Sequence, residues 1–169
     1  RVTRQTREGW YVMSSQWQSL VSQKIYLATQ LVRSARNQAS ATEQEACIQG
    51  AIELSLRARQ LLLALVARYH QDKHAMPTSL AELSTLIADT PDAEVLGKLS
   101  RTPDSWWHRL DQLELSQSQP PKQQKSVSED NVIAVSAAAG PDRSAEGLLD
   151  TLAAMKTFVN DLGERHAEW

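Results

Sequence analysis

Apolar residues recur at three- and four-residue steps along most of this chain, a spacing that gathers them on one side of a helix. Between 14 and 39 the series is Trp17, Leu20, Ile25, Ala28, Leu31, Val32 and Ala35, with Ser14 or Ser15 as the expected cap. The polar patch 37–42 reads as a turn. Thr42, with Glu45 three residues on, has the capping-box pattern and opens a second helix over 43–73. Its stripe is Cys47, Ala51, Leu54, Ala58, Leu61, Leu65 and Tyr69; Ile48, Ile52, Leu56, Leu63 and Val66 widen it until the second half is apolar nearly all round. Such a helix is covered by neighbours on several sides, with Arg57, Arg59 and Arg68 expected at its wetter edges and Pro77 as its stop.

Three shorter helices follow. Thr78 or Ser79 caps one that runs through Ile87, with Leu80, Leu83, Leu86 and Ile87 inward and Glu82 in the capping-box position. Thr90-Pro91-Asp92 and Thr102-Pro103-Asp104 each offer a capping hydroxyl, a proline for the first helical position and an acid for the first turn. They predict helices to about Ser100 and, from Ser105, to about Leu115. Residues 116–131 form a polar linker, and Val132-Ile133-Ala134-Val135 is an apolar island after it, either a lone strand or an extended segment over the bundle. Gly140-Pro141-Asp142 breaks the chain, and Ser144 caps a last helix, 144–166, striped by Leu148, Leu152, Met155, Val159, Leu162 and His166. The expected fold is all-α: a five- or six-helix bundle around a long antiparallel pair, 14–39 and 43–73, with an extended crossover over 116–143 before the last helix.

Composition agrees with one helical domain. The chain has 169 residues, 41% apolar and 22% charged, with aromatics at 5% and a single Phe. A net charge of −2 supplies no global attraction to nucleic acid or anionic lipid. The single cysteine, Cys47, excludes an internal disulfide and suits a reducing cytoplasm. The longest strongly apolar run, Leu61–Ala67, is far short of the ~20 residues that span a bilayer, so no membrane association is expected. Met13-Ser14-Ser15 reads as a natural start. Residues 1–13 are therefore expected to be a disordered or non-native extension, and 14–169 the domain.

Ser22-Gln23-Lys24-Ile25-Tyr26-Leu27-Ala28, the stretch Glu43–Tyr69, Leu80-Ala81-Glu82-Leu83, the Trp106-Trp107 helix, the Val132–Val135 island and the amphipathic last helix appear in that order. Together they resemble a family of small helical proteins of gammaproteobacteria, a domain of unknown function. The likeness covers about residues 14–166, and the first run is its most specific part. It implies an all-helical domain, assigns no activity and carries over no catalytic residue.

Candidate chemistry is sparse. His70 and His74, four apart, have the spacing of a metal pair on one helical face, but no third ligand is in evidence and a solvated helix end is favoured. Arg101 and His108 invite comparison with helical ribonucleases of the HEPN type; the six intervening residues and Pro103 weigh against it. Lys24, Arg33, Arg36, Arg57, Arg59 and Arg68 are candidates for a basic face. No phosphate loop, dinucleotide turn or nucleophile elbow is present. Neighbouring helical residues diverge by about 100°, so one ring of Trp106-Trp107 is expected inside and the other at the surface, unless the linker and the Val132–Val135 island cover both. Arg109 is placed to stack on a ring. Trp106, Trp107, Arg109, Val132, Ile133 and Val135 are thus the candidate interaction surface. The expected function is a cytoplasmic, non-enzymatic protein–protein interaction domain without cofactor, metal or catalytic residues. Its partner is another protein or a second copy of the chain. A nucleic-acid-associated accessory factor and a HEPN-like ribonuclease or nucleotide-acting enzyme are the alternatives.

Overall fold

The computed structural model describes residues 4–121 and 140–168, and these contain six helices and no strand. They are α1 (Arg4–Ala35), α2 (Ala41–Tyr69), α3 (Leu80–Leu86), α4 (Pro91–Arg101), α5 (Trp106–Ser118) and α6 (Ala145–Ala167). The short connection at 36–40 folds α2 back along α1, which makes the expected long antiparallel pair. α6 lies against α1 and also meets α2 and α5, while α3 and α4 lead the chain from α2 round to α5. None of the described helices is long and apolar enough to cross a membrane.

The core forms where the stripes meet. On α1 the fully covered positions are Val21, Ile25, Ala28, Val32 and Ala35, alternating four- and three-residue steps. The stripe is therefore centred slightly away from Trp17, Leu20 and Leu31, which are only partly covered. On α2 everything from Leu62 to Tyr69 is buried, as an all-round apolar segment requires. Leu148, Leu152, Met155, Val159 and Leu162 complete the core from α6. Where α6 passes α1, a Cβ on Gly163 would lie 2.7 Å from Gln18 Nε2, so a residue without one permits this approach.

Several helix ends differ from expectation. α1 extends back to Arg4, so neither Ser14 nor Ser15 starts it. Ser40, not Thr42, caps α2 by accepting from the Glu43 N–H. α2 stops at Tyr69, well before Pro77, because the chain turns at once: Gln71 takes a left-handed φ of 69°, its N–H reaches Arg68 O, and the Asp72 N–H reaches Ala67 O. Those two bonds are a Schellman cap, built here without its usual glycine. At α3, Ser79 accepts from the Glu82 N–H, and the Glu82 carboxylate accepts from the backbone and hydroxyl of Thr78. α5 runs past the expected Leu115 into the polar stretch and ends at Ser118, two residues before Pro120. Ser144 caps α6 as expected. Residues 122–139, which include Val132, Ile133 and Val135, lie outside the described residues.

Candidate functional site

The tryptophan pair is core. Trp106 and Trp107 are each 6% exposed, so neither presents a ring to solvent: of the two readings, one outward indole is corrected and both rings covered holds. Their divergence is real, but α5 sits in the angle between two helices, and each ring finds its own cover. Trp106 packs on Phe158 of α6, with centroids 5.4 Å apart. Trp107 lies beneath the Arg59 guanidinium of α2, 4.8 Å from the ring centre. Arg59 also donates to Trp107 O and pairs with Asp111. Arg109, expected on a ring, instead grips both oxygens of exposed Asp104. This bidentate pair holds the Asp104 carboxyl below its ordinary pKa and raises that of Arg109.

Arg59 and Arg68, two of the six candidate basic residues, are taken up by contacts within the fold. Arg68 is buried rather than at a wet edge: its guanidinium covers the Trp17 ring at 3.8 Å and donates to Ala64 O and Ala75 O. Burial lowers its pKa, with Asp72 acting the other way. Arg59 is engaged as above, and Arg57 donates to Gln60. Arg101 ends α4, and His108 Nδ1 accepts from the Asp104 N–H, closing the turn into α5.

The one cluster of metal-ligand type among the described residues lies at another place. His70 is the C-cap of α2, and His166 is in the last turn of α6. Both direct Nε2 at the same oxygen, Oδ2 of Asp92, at 2.7 Å each. Asp92 is in the first turn of α4, after the Thr90 cap and Pro91. A carboxylate is favoured at a helix N-terminus and imidazoles at C-termini, so the three helix ends are arranged with complementary fields. Arg165 adds a longer contact to the other oxygen, Oδ1, at 3.4 Å. Burial pushes the Asp92 carboxyl up, but hydrogen bonds and charge from His166 and His70 outweigh it and hold the pKa below its ordinary value. The His166 ring is stacked on Tyr69 at 4.3 Å and nearly parallel, and the Tyr69 hydroxyl donates to Gln18 of α1. Four helices thus converge here.

His74 is not in this group. α2 ends before it, so His70 and His74 are not one helical turn apart, and the metal-pair spacing has no helix to act on. His70 alone of the two was brought to the cluster. Asp92 had been legible only as a capping-turn acid and His166 only as the end of a stripe. The available signal was the wrong-sided polarity of His166, a polar residue that continues an otherwise apolar series.

A second feature runs along the outside of α1 and α6. A groove of ≈ 450 Å³ is lined by Ile25, Tyr26, Thr29 and Arg33 from α1 and by Leu149, Ala153 and Lys156 from α6. Tyr26 at its edge is 62% exposed, and Leu27 beside it is also exposed. Both belong to the run Ser22–Ala28 on which the family resemblance is most specific. A family model matches residues 13–169, nearly the whole chain. The chain belongs to the DUF6586 family of unknown function. No curated protein and no solved structure matches it. Membership of DUF6586 agrees with the domain of unknown function expected from the sequence, and it assigns no activity to any residue.

Proposed function

We propose that this DUF6586 protein is a non-enzymatic binding module of the cytoplasm whose partner is another protein, engaged through the α1–α6 groove. The observation that carries this is the exposed Tyr26 standing over an apolar floor. Tyrosine supplies large, rigid contact area and is enriched in interfaces. The groove follows the axes of two adjacent helices, a shape suited to an amphipathic helix laid into it. Arg33 and Lys156 on its walls favour acidic residues on the partner's flanks, with Asp150 as the opposing charge. The face moves from the tryptophans to Tyr26 because the indoles are consumed in the core, whereas Tyr26 is not.

The test is site-specific photo-crosslinking in cells with the reactive side chain in place of Tyr26, and with Gln112, exposed on α5, as the control position. One discrete protein adduct at 26 and none at 112 is the expected result. An adduct of twice the chain's mass would identify the partner as a second copy. No adduct at 26, or the same products from both positions, overturns the proposal.

A further inference from the structure

We propose that His70, Asp92 and His166 form a binding site for a divalent transition-metal ion, zinc by its ligand chemistry. His70 Nε2, Asp92 Oδ2 and His166 Nε2 lie within 4.8 Å of one another, and each nitrogen is 2.7 Å from the carboxylate oxygen. Ligands at about 2.0–2.1 Å from a tetrahedral zinc are roughly 3.3 Å apart, so each nitrogen must move about half an ångström away from Oδ2 and the two nitrogens must close on one another by up to about 1.5 Å to admit the ion. These shifts are feasible because the ligands come from three helix ends. The C-cap of α2, the first turn of α4 and the last turn of α6 move as separate side chains rather than as one rigid ladder.

The donor set selects the ion. Two imidazoles and one carboxylate suit zinc, cobalt or nickel and are a poor match for magnesium or calcium, which take oxygen ligands. Arg165 engages Oδ1, which leaves Oδ2 as a single-oxygen ligand. The stack of Tyr69 on His166, itself tied to Gln18, sets the plane of one imidazole ring, as outer-shell partners do in metal sites, and leaves the ring to shift within that plane. Both histidine side chains are about one-fifth exposed, so the cluster has a path to solvent. Three protein ligands leave a fourth position to water or a small anion.

The first measurement is a titration of the full chain, free of any affinity tag, with cobalt(II) read by visible absorption and then displaced by zinc. One equivalent of a tetrahedral or five-coordinate cobalt spectrum is expected. The H166Q and D92N variants should bind at least tenfold more weakly, whereas H74Q and C47S should bind as the parent does. With zinc at a hundredfold excess over Kd, the parent's Tm should rise by about 5–10 °C and that of H166Q should not. R165Q keeps every ligand and removes a competing cation, so it should bind severalfold more tightly even if D92N fails to fold. Absence of one-equivalent binding by the parent overturns the site, as does parental affinity in a helical H166Q. Loss of binding in H74Q or C47S places the ion elsewhere and overturns it as well.

Discussion

Thr90-Pro91-Asp92 and Thr102-Pro103-Asp104 have the same three residues in the same order and finish in different structures. At the first, α3 has already ended, so Thr90 is free to cap: its hydroxyl accepts from the Ala93 N–H and α4 starts at Pro91. At the second, α4 is still running. Thr102 closes it, donating its N–H to Leu99 O and its hydroxyl to Lys98 O. Asp104 then takes a φ of 63°, and Ser105 becomes the cap of α5 through the His108 N–H. The acids diverge accordingly: the Asp92 side chain is 7% exposed among imidazoles, the Asp104 side chain 79% exposed beside Arg109. A start signal begins a helix only when the preceding helix has released its residues.

The sharpest way to break this comparison is to remove each acid. Asp92→Ala leaves two half-buried imidazoles without their shared acceptor and is expected to cost roughly 2–4 kcal/mol in urea unfolding. Asp104→Ala should cost far less, because an exposed ion pair contributes little and only the better tolerance of Asp for the left-handed φ is lost with it. Equal losses at the two sites would show that the buried cluster is not special. The pH dependence has a definite sign. The Asp92 pKa is depressed in the fold, so its share of stability is complete above its ordinary value of 3.8 and is lost as pH falls through the lower, folded value. The stability gap between the parent and D92N should therefore be full above about pH 4 and narrow below it, as denaturant midpoints across that range would record.

The caps carry the next largest effects. Thr90→Ala and Ser105→Ala should each cost about 1 kcal/mol, since each hydroxyl satisfies an otherwise open helix N–H. Thr102→Ala removes only a hydroxyl bond to a C-terminal carbonyl, and chemical denaturation should show a smaller loss than at either true cap. A loss at Thr102 as large as at Ser105 would mean that α5 begins where the triplet predicts. The smallest effect has the opposite sign. Gln71 holds a left-handed φ beside His70, and glycine adopts that conformation without a Cβ penalty, so Gln71→Gly should stabilise the chain by about 0.5–1 kcal/mol.

Much of the fold is legible in the sequence. The long pair, the three short helices and the last helix follow from periodicity, and Ser79, Thr90 and Ser144 cap as their hydroxyls predict. The misses have physical causes. α2 ends at Tyr69 because a left-handed turn at glutamine has no sequence signature comparable to glycine. Arg68 goes inside because Trp17, some fifty residues earlier, supplies a ring to cover it. Both indoles are buried because α2 and α6 flank α5 on two sides.

The candidate sites divide in the same way. Tyr26 could be singled out from the Gln-Lys-Ile-Tyr run, but not its exposure beside Leu149 of α6. His70, Asp92 and His166 are separated by 22 and 74 positions, and each looks ordinary in its own segment. By itself, then, the sequence determined the helices, three of their caps and the apolar stripes of the core, because those depend on interactions within about four residues. Tertiary structure decided which helix ends meet, which rings are covered and which carboxylate becomes an acceptor for two imidazoles. Those outcomes depend on how helices of fixed length are joined and packed, and no residue carries that information in its neighbours.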